Sequence, residues 1–189
     1  MPTQLEKTNL IVEKLHHVHK EAVSSFFCGR PDEDDFLKHD ALPSQRFRLS
    51  ETLLLFERGR KNKIISYVTI TVGSFQLSKD KKLKNVKISD KPFRVFSNHI
   101  PCLLIGKLAT DKSETGRGGA RHLIDYALER AINANLPIPF VALHTYPDMI
   151  GFYEKIGFEV AFHPTRKMNG QLATMCFELR KNETRQTYQ

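Results

Sequence analysis

The run Cys102–Leu128, CLLIGKLATDKSETGRGGARHLIDYAL, constrains the fold most. It opens with four apolar residues, Cys102 to Ile105, the composition of a strand covered on both faces. A polar turn follows over Lys112 to Gly119. From Gly118 to Ala134 the pattern is helical, with Leu123, Ile124, Ala127, Leu128, Ala131 and Ile132 in one apolar stripe. Pro137 and Pro139 prevent its continuation. The unit is therefore strand, glycine loop, helix.

Such a unit carries chemistry or only turns the chain. A helix N-terminus offers unpaired N–H groups and a partial positive charge, which suit phosphate. Gly116, Gly118 and Gly119 let a ligand approach the backbone, and Arg117 adds charge. The alternative is a tight strand-to-helix turn, and the loop alone does not choose. It lacks a Gly-Lys-Ser/Thr ending, which sets aside a Walker-type loop. No ribose-binding acid follows clearly in a second βαβ unit, which argues against a dinucleotide fold.

Around this unit the other elements read as follows. A strand covers Asn9–Leu15, and a helix covers Glu21–Phe27 until Gly29-Arg30-Pro31 breaks it. Asp32–Arg46 is a helix or helix pair interrupted at Pro43, with Asp34 and Asp35 capping or solvating it. Strands over Glu51–Glu57 and Ile64–Val72 form a hairpin through Arg58–Lys63. Ile138–Leu143 is a further strand. A short helix runs from Asp148, its expected N-cap, to Gly157. Phe158–Phe162 and Thr174–Leu179 close the sheet through a turn at Asn169-Gly170. The expected class is α/β of the α+β type, a mixed, mostly antiparallel sheet of six to seven strands flanked by helices. The 189 residues suit one domain, over 1–181, with a polar tail at 182–189.

Composition narrows the function. No apolar run approaches the length of a membrane span, and no secretory signal is evident at the N-terminus. The three cysteines, Cys28, Cys102 and Cys176, do not suggest a disulfide framework, a zinc site or a Cys-His nucleophile. They point to a reducing cytoplasm. His16, His17 and His19 lack the spacing and carboxylate of a metal site, so surface histidines and no metal are expected. The net charge of +8, from 29 basic and 21 acidic residues, favours a polyanionic partner, though it also serves solubility. The segment Ser78–Lys91, with six lysines, reads as a solvated face or an RNA-facing patch.

The residues of the loop resemble the pyrophosphate loop of the GNAT superfamily of N-acetyltransferases, Q/R-x-x-G-x-G/A. Here it reads Thr115-Gly116-Arg117-Gly118-Gly119-Ala120, with Gly118 and Ala120 matching. Thr115 stands where the family has Gln or Arg, so phosphate binding is expected to rest on N–H groups from Arg117 to Ala120. FYEKIGF, Phe152–Phe158, resembles the superfamily's terminal helix in the right order and spacing.

The resemblance implies acetyl-CoA as cosubstrate, transfer of its acetyl group to an amine, and Tyr153 as the acid that serves the departing thiolate. It also implies that backbone groups around Lys107, Leu108 and Ala109 hold the pantetheine arm and polarise the thioester carbonyl. The Asn often found before the terminal helix is replaced by Tyr146-Pro147-Asp148. His144, at the end of its strand, is a candidate proton relay.

FFCGRPDEDDFLKHDALPSQ, SETLLLF, ISYVTITVGSF and IPCLLIGKLATDK further resemble GNAT toxins of bacterial toxin–antitoxin pairs, over about residues 10 to 180. Characterised members acetylate the amino group of aminoacyl-tRNA and so stop translation. Aminoacyl-tRNA, a small DNA-binding antitoxin and a second copy of the chain are the partners this implies. Phosphate contacts of an RNA substrate agree with the charge. Two other readings stay open: transfer to a small amine or a protein N-terminus or lysine, and a non-catalytic acyl-CoA-binding module.

Overall fold

The computed structural model describes residues 9–76, 99–134, 136–162 and 172–179. The lysine-rich segment, the Asn169-Gly170 turn and the 182–189 tail lie outside them. Seven strands form one sheet: β1 (Leu10–Lys14), β2 (Glu51–Glu57), β3 (Ser66–Gln76), β4 (His99–Thr110), β5 (Phe140–Thr145), β6 (Glu159–Phe162) and β7 (Ala173–Glu178). Their order is β1-β2-β3-β4-β5-β7-β6. The pairs β1/β2, β2/β3, β5/β7 and β6/β7 are antiparallel. The helices are α1 (Lys20–Ser25), α2 (Pro31–Asp35), α3 (Ala41–Arg46), α4 (Gly119–Asn133) and α5 (Ile150–Glu154). This is the mixed, mostly antiparallel sheet with helices that the sequence predicts.

Two compact units divide the chain: Met1–Thr71 with Ile105–Glu129, and Val72–Leu104 with Arg130–Gln189. In the first, β2 is buried along both faces, which its apolar centre Leu53-Leu54-Leu55-Phe56 requires. Leu54 and Phe56 join Leu15, Phe26, Leu37, Ala41 and Tyr67 in one core. Leu55 and Ile65 face the start of α4. Gln45 links the elements at one edge of this core. Its amide donates to the Leu15 carbonyl at 2.7 Å and accepts from the Thr52 N–H at 3.1 Å. In the second unit, Ile100, Cys102, Phe140, Ala142 and Cys176 form the core, with Leu104 and Ala161 against it.

Several boundaries differ from expectation. α1 stops at Ser25, because Phe26 turns extended (φ −67°, ψ 134°) and enters the core. That frees the Phe27 backbone to bond elsewhere. Pro43 does not interrupt its helical run. A π-helical turn over Phe36–Asp40 resets the hydrogen bonding, and Pro43 falls in the first turn of α3, where a missing N–H is tolerated. Asp34 does not solvate the helix. Its buried carboxylate accepts from the Cys28 N–H at 2.8 Å and the Gly29 N–H at 3.3 Å, tying down the preceding loop. Asp148 is not an N-cap. Pro147 opens a 3-10 turn at Pro147–Met149, so the cap positions fall on Tyr146 and Met149, without side-chain caps.

Candidate active site

β4 leads into the glycine loop through Asp111, which organises everything around it. The Asp111 side chain is buried. It accepts from the Lys63 ammonium at 2.7 Å, the Phe27 N–H at 3.1 Å, the Ser113 N–H at 3.0 Å and the Ser113 hydroxyl at 2.6 Å. Burial alone would raise its pKa. The hydrogen bonds from Lys63, Ser113 and Phe27 outweigh burial and hold the carboxyl below its ordinary 3.8. The Lys112 N–H donates back to the Phe27 carbonyl at 2.8 Å. Segments far apart in sequence are thus fastened where the loop begins, a contact no local pattern announces.

A 3-10 turn, Lys112–Glu114, comes next, then the loop proper. Its glycines have separate tasks. Gly116 and Gly118 are left-handed, at φ 82° and 91°. A Cβ added to Gly118 would meet nothing within 4 Å. A Cβ on Gly119 would lie 2.5 Å from Ser66 Oγ and 2.8 Å from Ile65 Cγ2. Gly119 therefore lets α4 pack against β3, while Gly118 shapes the open side of the turn. The His122 N–H donates to the Gly118 carbonyl at 3.0 Å, the first bond of α4. The N–H groups of Gly119, Ala120 and Arg121 precede that bond and have no carbonyl partner within the helix.

The structure redistributes the donors expected from the sequence. The Arg117 N–H is directed to the Glu114 carbonyl at 3.4 Å. Arg121 supplies a backbone donor that the motif alone did not single out. It follows from where α4 starts, one residue later than the helical pattern. The charge of Arg117 is also not turned to the loop's open side. Its guanidinium binds the buried Glu114 carboxylate and lies 3.8 Å from Glu57. Arg60 reaches Glu114 at 3.1 Å. A buried carboxylate needs such partners, and Arg117 meets that need first. The Thr115 hydroxyl donates to the Asp111 carbonyl at 3.4 Å, so it too serves the turn. The cradle's chemistry fits a pyrophosphate: glycine backbone, an open side at Gly118 and the N-terminus of a 15-residue helix.

Lys107, Leu108 and Ala109 lie half-buried near the end of β4. The Lys107 ammonium is 4.0 Å from Glu33 and 5.9 Å from the Phe36 ring centre, so its side chain joins the α2 region.

In the second unit, α5 buries Tyr153 at 8% exposure. Its ring meets Phe152 and Phe158 edge-on, with centroids 5.0 and 5.9 Å away. Gly157 (φ 110°) turns the chain after α5, and a Cβ there would press Phe177 at 3.1 Å. The FYEKIGF run therefore fixes an aromatic cluster around Tyr153. His144 is exposed, and its imidazole shares a 3.0 Å hydrogen bond with the Thr174 hydroxyl.

Other reactive groups stand apart from this chemistry. Burial pushes the Cys28 and Cys102 thiols up to about 11, far from a nucleophile's range. His19 lies 3.0 Å from Glu13 and against the Phe56 ring. Among the described residues no group of three or more His, Cys, Asp or Glu could hold a metal ion.

The chain is similar to known proteins in sequence and in fold. The Acetyltransferase (GNAT) family matches over residues 15–158. The chain is 28% identical over 145 residues to a tRNA-acetylating toxin of Mycobacterium tuberculosis (strain ATCC 25618 / H37Rv), covering 74% of this chain and 79% of that protein. Its fold is similar to AtaT complexed with acetyl-methionyl-tRNAfMet, with a TM-score of 0.72 and 21% identity over 93% of this chain and 98% of that one. It is likewise similar to AtaTR bound with acetyl-CoA, with a TM-score of 0.70 and 21% identity over 94% and 98%. The family match spans both compact units and contains the loop and the Tyr153 helix. The chain belongs to the GNAT family of acetyltransferases.

Proposed function

We propose that this chain is an acetyl-CoA-dependent N-acetyltransferase that acetylates the amino group of aminoacyl-tRNA and thereby blocks translation. The observation that carries acetyl transfer is the left-handed Gly118, open on its Cβ side, at the head of α4. The acceptor rests on likeness to a tRNA-acetylating toxin across 74% of the chain, together with the net charge of +8.

The residues divide the work. N–H groups of Gly118 to Arg121, with Gly116 and Gly119 shaping the turn, receive the pyrophosphate. Arg117 and Thr115 hold the loop through Glu114 and Asp111. Backbone groups of Lys107 to Ala109 align the pantetheine and polarise the thioester carbonyl. The neutral amine forms its bond to the carbonyl carbon as the carbon–sulfur bond breaks. The Tyr153 hydroxyl donates its proton to the leaving sulfur, and the amine's own proton passes to a base or water. We assign the whole to one domain over residues 1–181, acting in the cytoplasm as a homodimer with a small DNA-binding antitoxin.

Expression in a bacterial host is expected to arrest growth, and Tyr153→Phe to relieve the arrest. Purified enzyme should transfer labelled acetyl to charged tRNA pools. Unimpaired growth together with efficient acetylation of free amines would overturn the tRNA reading.

A further inference from the structure

α3 ends in a paired cap. The Leu49 N–H donates to the Ser44 carbonyl at 2.9 Å and the Arg48 N–H to the Gln45 carbonyl at 3.1 Å. This is the bonding of a helix closed by a left-handed residue, a position that favours glycine. Here the residue is Arg48, at φ 59°, and it is the one non-glycine with positive φ among the described residues. An arginine in that region is strained, and strain of this kind gathers where a surface has a task.

The cap also leaves apolar groups in water. Leu49 occupies the position that normally closes onto the helix, but the residue beneath it is Ser44, and Leu49 is 66% exposed. Phe47 is 80% exposed, more than any other large apolar side chain described. The turn is nonetheless fixed, since the Thr71 hydroxyl donates to the Leu49 carbonyl at 2.6 Å. Arg46 and Arg48 are exposed beside these groups, and neither makes an ion pair with a described residue. The turn therefore presents an aromatic face, an aliphatic group and two exposed guanidinium groups that pair with no carboxylate among the described residues.

That combination matches RNA with unpaired bases. An unstacked base can lie on an aromatic ring while guanidinium groups take the flanking phosphates. The positive charge of the patch and of the whole chain selects a polyanion over an apolar protein surface. We propose that Phe47 and Leu49, flanked by Arg46 and Arg48, form an RNA contact of this enzyme, with a base on Phe47 and phosphates on the two arginines. The inference rests on the tRNA reading of the function.

The test measures binding of deacylated tRNA across a salt series, acetylation of aminoacyl-tRNA, and acetyl-CoA binding by calorimetry. Phe47→Ala is expected to weaken tRNA binding by about five- to hundredfold and raise KM with kcat and acetyl-CoA affinity unchanged. Arg46→Ala with Arg48→Ala should lower the slope of log K against log salt by about 1 to 2. Arg48→Gly separates structure from recognition: it should raise the thermal midpoint, because the strain is relieved, yet weaken tRNA binding. Wild-type tRNA affinity in all three variants, with the parent enzyme active on aminoacyl-tRNA, overturns this contact and leaves the proposed function standing. Dissociation of a dimer by Phe47→Ala, with tRNA affinity intact, overturns it in favour of self-association. A parent enzyme that neither binds nor acetylates tRNA overturns the proposed function and this contact with it.

Discussion

In the proposed mechanism Tyr153 joins packing to chemistry. Its ring is held edge-on by Phe152 and Phe158, so replacement by phenylalanine removes the hydroxyl and keeps the packing. Tyr153→Phe should lower kcat by about 10²–10⁴-fold with little change in acetyl-CoA affinity, as read by steady-state kinetics and calorimetry. Asp111 shows the converse, a polar residue whose work is structural. Its folded pKa is depressed, so its contribution is complete above the ordinary value of 3.8 and is lost as pH falls through the folded value. Asp111→Asn should therefore cost about 1–3 kcal/mol in urea unfolding at neutral pH. The gap between the two proteins should close below pH 3.8. With the Cys28 and Cys102 thiols at about 11, neutral-pH treatment with iodoacetamide should leave acetyl transfer intact, with labelling followed by mass spectrometry.

At the scale of elements, the head of α4 separates two kinds of glycine that look alike in the sequence. Gly119→Ala drives a methyl group to 2.5 Å from Ser66 Oγ. It should lower stability by about 1–3 kcal/mol, measured by thermal or urea unfolding. At Gly118 an added Cβ meets nothing within 4 Å, but Gly118→Val forces a branched side chain into φ 91°. Its main effect should be loss of acetyl-CoA affinity by calorimetry, and unchanged affinity would place the pyrophosphate elsewhere. The strand and helix centres were legible because burial imposes periodicity on them. Their ends were less so. The end of α1 at Ser25 depends on Phe26 entering the core, and the start of α5 depends on how Pro147 is used. The first is decided by a core built from segments distant in sequence, the second by the backbone that Pro147 adopts just before the helix.

For the whole molecule, the charge of +8 agrees with the proposed tRNA substrate. Affinity should fall steeply and linearly on a log–log plot as salt rises, while acetyl-CoA binding changes far less. Part of the formal charge is already committed. Lys63 is held by Asp111, and Arg60 and Arg117 by Glu114. Net charge therefore gives the sign of the partner but not the surface that meets it.

The order of strand, glycine loop, helix and FYEKIGF lies in the sequence alone, because local spacing encodes it; the fold class follows from the element pattern, and acetyl transfer is what the resemblance of these motifs to the GNAT superfamily implies. Which donors the loop exposes was decided by tertiary structure. Arg117 reads as a phosphate ligand in one dimension. In three it neutralises Glu114, whose buried carboxylate cannot be left unpaired. Likewise Gly119 reads as one of three equivalent glycines until Ser66 and Ile65 are found against it. Sequence spacing specifies which groups a loop contains, and the packing of distant segments decides which of them remain available.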